Sequence, residues 1–198
     1  MKIAEIRKLC QRNKTIILYR HGHEQWVSDG RAIYPLAGLP TMGKESITAL
    51  MDVPEDKADG YYIDKSSVPP NICLDDNCQE EMLCQTNYTL SDLQPLYTPA
   101  GEYILIDPNY LRPLKDFAGE MCLYLRGEPG ARYVAVKTGL ILRAAILPMT
   151  LNGNGYIIEQ MENMTRWYRH LETEAVAADR EAAQQADKQL TMGEEAAK

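Results

Sequence analysis

Apolar positions in the first 150 residues come in short runs whose spacing switches between a helical and an alternating period. Ile3, Ile6, Leu9 and Cys10 fall on one side of a helix predicted over residues 2–13, with Lys8 and Arg12 on the other. Residues 15–20 (TIILYR) read as a strand and His21-Gly22-His23-Glu24 as its connection. A second strand is predicted over 25–28, a tight turn at Asp29-Gly30, and a third strand over 31–36. Residues 44–51 predict a short helix that ends before Pro54, and residues 60–64 an edge strand. A strand over 102–106 leads to Asp107-Pro108, a helix start, although Pro113 requires that helix to begin later or to kink. Three more β-rich runs, MCLYLR, RYVAVK and LILRAAILP, are separated by Gly127-Glu128-Pro129-Gly130 and Thr138-Gly139, which predicts a meander over 119–149.

Residues 65–100 carry no clear period and read as an irregular surface excursion. Residues 152–155 (NGNG) break the chain, and a helix is predicted over 156–190. Ile157, Met161, Met164, Tyr168 and Leu171 form a heptad seam along it, which can dock on its own domain or pair with a second copy as a homo-oligomer. The expected architecture is α+β: an antiparallel sheet over residues 1–150 made from two helix–meander units, followed by the long C-terminal helix. The two units share one order of helix, strand, turn, strand, Gly-containing turn and strand, which suggests an internal repeat. Three strands and one helix cannot bury both faces alone, whereas two such units side by side can share one sheet.

Charge adds a candidate surface. The formal net charge of −7 argues against a wholly basic nucleic-acid binder. The first helix nevertheless carries Lys2, Arg7, Lys8 and Arg12 with Lys14 beside it, and the second offers Arg112 and Lys115. No apolar run is long enough to span a bilayer, so no membrane partner and a cytoplasmic setting are expected. The five cysteines then read as free thiols, with Cys73, Cys78 and Cys84 too loosely spaced for a zinc knuckle. No metal and no cofactor is expected.

The helix containing Tyr110-Leu111 and Leu114, followed by MCLYLR, RYVAVK and LILRAAILPM, resembles a domain of the DNA sliding clamp superfamily. In that family each domain is built from two strand–helix–three-strand units, with basic helices facing duplex phosphates. The resemblance implies a non-enzymatic binding or assembly module, associated with DNA replication or a mobile element. Its partner would be duplex DNA or a replication protein, met through Lys2, Arg7, Lys8, Arg12, Lys14, Arg112 and Lys115.

The text ILYRHGHEQW is similar to the opening motif of the histidine phosphatases, the phosphoglycerate mutase-like family. That resemblance implies a phosphate-accepting His21 flanked by a phosphoryl-binding Arg20. Thr138 stands where the family has its second histidine, so an inactive relative is implied.

Overall fold

The computed structural model describes residues 1–75, 78–86, 89 and 92–149, together with 163 and 166. The first compact unit is Met1–Thr150. The predicted seam residues Ile157, Met161, Met164, Tyr168 and Leu171 lie outside the described residues.

The chain is mixed α+β. Helix α1 (Ile3–Asn13) leads into strands β1 (Ile16–His21), β2 (Glu24–Ser28) and β3 (Ala32–Pro35). Helices α2 (Lys44–Leu50) and α3 (Glu55–Tyr61) follow, then strands β4 (Tyr62–Lys65), β5 (Glu80–Gln85), β6 (Gln94–Tyr97) and β7 (Tyr103–Ile106). A 3-10 helix (Pro108–Phe117) precedes β8 (Met121–Arg126), β9 (Tyr133–Thr138) and β10 (Ile141–Ile146). The ten strands form one sheet in the order β4-β1-β2-β3-β10-β9-β8-β5-β6-β7. All pairings are antiparallel except β1 with β4.

Strand alternation builds the layers. On β1, Ile16 and Leu18 enter the main core while Ile17 and Tyr19 face the other side. On β9, Val134 and Val136 face the main core and Tyr133 and Ala135 the opposite side, so this central strand is buried on both faces. Helix α1 lays Ile6, Leu9 and Cys10 on the inner face, and the 3-10 helix adds Tyr110 and Leu114. Burying each large side chain contributes about 1.5–3 kcal/mol. The backbone N–H of Lys2 donates to the Pro113 carbonyl at 2.8 Å, which ties the two helices together.

Three local outcomes differ from expectation. Residues 65–100 hold β5 and β6, and β5 joins the sheet through Leu83 opposite Leu123. Their pattern is obscured because Met82 and Glu81 are exposed on a strand only partly covered. The second helix is 3-10, with Asp107 capping Asn109 N–H and Pro113 inside it; a proline without an N–H cannot pass on the α-helical ladder. Helix α3 forms where the sequence pattern predicts no helix.

On the outer face a loop replaces a helix. Val68, Ile72 and Leu74 pack on Tyr19, Trp26, Ile33, Tyr133, Ala135 and Leu142. The Tyr133 hydroxyl donates to the Cys73 carbonyl at 2.8 Å and accepts from the Cys73 N–H at 3.0 Å. Arg126, 1% exposed, donates to the carbonyls of Cys73 at 3.3 Å and Asp75 at 2.9 Å. Its other nitrogens bind the Glu80 carboxylate at 2.8 and 2.5 Å, and Lys137 reaches the same carboxylate at 3.0 Å.

Candidate functional site

Burial of Ile6, Leu9 and Cys10 leaves Lys2, Lys8 and Arg12 exposed along α1. Arg112 and Lys115 are exposed on the neighbouring 3-10 helix. Glu5 sits among them. Its carboxyl is held below the ordinary range by the hydrogen bond from Lys8, against a smaller opposing effect of burial, with the charges of Lys8, Arg112 and Lys115 adding to it. Lys8, Arg112 and Lys115 therefore share one neighbourhood. Lys2 pairs with Asp116 at 3.1 Å and Lys8 with Glu5 at 2.6 Å. Exposed pairs of this kind contribute about 0–1 kcal/mol, so they can be exchanged for other anions.

The remaining predicted basic residues are placed elsewhere. Arg7 turns towards the end of α2, donating to the Leu50 carbonyl at 3.2 Å with Asp52 at 3.9 Å. Lys14 closes α1 in the left-handed conformation. Arg12 pairs with Asp107 at 3.0 Å and lies 5.3 Å from the Tyr110 ring centroid.

Arg12 also opens onto a cleft of about 450 Å³ at the C-terminal end of α1, lined by Arg12, Asn13, Asp29, Gly30, Arg31, Asp107, Tyr110 and Met149. Its floor is a polar lock. Asp29, 3% exposed, accepts from the N–H groups of Arg31 at 3.0 Å and Ala32 at 2.9 Å. The Asn13 amide donates to Asp29 at 2.7 Å and to the Tyr110 hydroxyl at 3.2 Å. Tyr34 donates its hydroxyl to the Tyr110 carbonyl at 2.8 Å. Burial, and then the Asp29 charge, raise both Tyr34 and Tyr110 above the ordinary phenol value. The lock joins the β2–β3 turn, the end of α1 and the start of the 3-10 helix. Asp29-Gly30 was legible only as a turn; Tyr110 lies 97 positions from Asn13, beyond any local pattern. The cleft presents hydrogen-bonding groups and carboxylates, and Arg12 and Arg31 add cations to its lining.

The histidine candidates do not converge. Arg20 binds Asp64 at 3.1 Å, while His21, with its side chain 46% exposed, lies 3.5 Å from Asp75. Adjacent strand residues point to opposite faces. Thr138 is on β9, four strand positions from β1, or about 19 Å at the usual strand spacing. Its hydroxyl accepts from Arg143 at 2.8 Å.

The free-thiol reading of the excursion is corrected at one pair. Cys73 and Cys78 form a disulfide, because the fold brings their Cα atoms to 6.6 Å, within the span of that bond. Cys84 is carried away on β5. Among the described residues no cluster of three or more His, Cys, Asp or Glu side chains is grouped to hold a metal ion, and no helix is long and apolar enough to cross a membrane.

Comparison with protein-family models, curated proteins and solved structures finds no match to this chain.

Proposed function

We propose that this protein is a non-enzymatic, clamp-like module that holds duplex DNA, or assembles on it, through the face formed by α1 and the 3-10 helix. The reading rests on one observation: the two helices lie side by side on one face of the sheet, where Lys8 pairs with Glu5 and the charges of Arg112 and Lys115 also act on that carboxylate. Beneath them, β1-β2-β3 and β8-β9-β10 abut through β3 and β10, each preceded by its helix. That arrangement favours two repeated units over a doubly wound parallel sheet. The lysines and arginines meet phosphates as point charges and forks that position the protein without reading bases. A replication protein with an acidic surface would meet the same face.

Fluorescence anisotropy of a labelled duplex, titrated over a range of salt, tests the reading. The Lys8→Glu, Arg112→Glu double variant should bind more weakly. Its slope of log K against log salt should fall by about 0.9 for each phosphate that the variant no longer neutralises. No binding by the parent protein at low salt, or an unchanged slope in the variant, sinks the proposal.

A further inference from the structure

The outer face carries a row of side chains that the DNA reading does not use. Lys137 on β9 stands opposite Cys122 on β8. Cys84 on β5 stands opposite Tyr97 on β6, which in turn faces Tyr103 on β7. Between the two parts of the row, β5 and β8 run antiparallel as far as Leu83 opposite Leu123. Continuing that register by one residue past its last pair would place Cys84 opposite Cys122. Leu83 and Leu123 both enter the inner core, so alternation turns both cysteines to the outer face.

Directly opposed residues on antiparallel strands have Cα atoms about 4.5–5.5 Å apart, within the span of a disulfide. Both cysteines are free and half-buried. Lys137 is the cross-strand neighbour of Cys122, binds the Glu80 carboxylate at 3.0 Å and lies 5.4 Å from the Tyr124 ring centroid. Tyr124 itself is raised above the ordinary phenol value by burial and then by the charge and hydrogen bond of Cys122.

We propose that Cys84 and Cys122 are an oxidisable dithiol that exchanges with small-molecule disulfides and locks β5 to β8. The Cys122 thiolate attacks one sulfur of the small disulfide, forming a mixed disulfide and expelling a thiolate that takes a proton from water. Cys84, deprotonated, then attacks the Cys122 sulfur and releases the second small thiol. The protein gives up two electrons and two protons, and the small disulfide is reduced to two thiols. The bond forms where β5 changes partner, pairing with β8 through Glu80 to Leu83 and with β6 through Cys84 and Gln85. Oxidation would therefore fix the join between the main sheet and the β6–β7 hairpin.

The test treats the full chain with oxidised glutathione, alkylates the remaining thiols and maps the peptides by mass. Cys84 and Cys122 should become protected together and appear as one cross-linked peptide pair. Cys10, pushed up to about 12 by burial, serves as the inert reference. Cys84→Ser, folded by circular dichroism, should stop at the glutathione adduct on Cys122. Full alkylation of both cysteines after oxidant, stable adducts on each without a cross-link, or a cross-link formed only in urea would overturn the proposal.

Discussion

On the inner face, Ile6, Leu9, Tyr110 and Leu114 descend from two helices onto Leu18, Val27, Val134 and Ile146, and the stabilisation is spread over many apolar side chains. On the outer face, Ile72 and Leu74 come from a loop, and a few polar groups hold that loop in place. Arg126 ties the loop's carbonyls to Glu80, and Tyr133 brackets Cys73 from both sides of its peptide. Trp26, under this loop, has a buried ring N–H with no acceptor among the described residues. A helix satisfies its own backbone, so it can cover a sheet with side chains alone. A loop cannot, and its carbonyls need donors from the surface beneath it. The difference makes the outer face depend on single residues and the inner face tolerant of them.

The largest expected effect follows from removing the main donor. Arg126→Ala takes the donor from the Asp75 carbonyl, leaves the Cys73 carbonyl to Tyr133 and Glu80 to Lys137 alone, and should lower unfolding stability by about 1.5–3 kcal/mol in urea titration. Proteolysis should move to residues 66–75 at the same time. A loss below about 1 kcal/mol would show that the loop is held mainly by Ile72 and Leu74.

Acid should act on the same anchor more mildly. Burial alone would raise the Glu80 carboxyl, but the hydrogen bonds and charges of Arg126 and Lys137 outweigh it and hold the group below its ordinary 4.5. The contribution is then fully present above about pH 4.5 and is lost as pH falls through the lower folded value. Parent protein should lose stability over that acid range, and Glu80→Gln should flatten that limb of the stability–pH curve. A variant with the same acid limb as the parent would assign the loss to other carboxylates.

The smallest effect belongs to the inner face. Ile146→Val removes one methylene from a fully buried strand residue and should cost about 0.5–1.5 kcal/mol, with no change in loop proteolysis. Loosening of residues 66–75 in this variant would mean that the two faces are coupled through β10 rather than independent.

The legible part of the fold was the part written in local pattern. Helix α1 followed from the spacing of Ile6, Leu9 and Cys10, and β1 to β3 and β8 to β10 from β-rich runs between glycine turns. Gly30 and Gly139 adopt positive φ at the predicted turns, which is why those dipeptides mark them. β5 escaped notice because Leu83 is its one buried residue among exposed Glu81, Met82 and Gln85, and β6 because Pro95 interrupts a run of four residues. Of the candidate site, the basic residues were visible one by one. Their grouping was not, since the charges of Arg112 and Lys115 act on Glu5 only when the 3-10 helix packs beside α1.

The amino-acid order alone determined periodicity, turn positions and the supply of charge, because each depends on residues within a few positions of one another. The tertiary structure decided which meander edges meet, that Asn13 joins Asp29 to Tyr110, and that a buried Arg126 holds a loop more than 50 residues away. It also carried Cys84 from the cysteine-rich loop onto β5, which pairs with the strand that holds Cys122. Those choices depend on which apolar faces and unsatisfied carbonyls come together when the chain closes, and no local spacing encodes them.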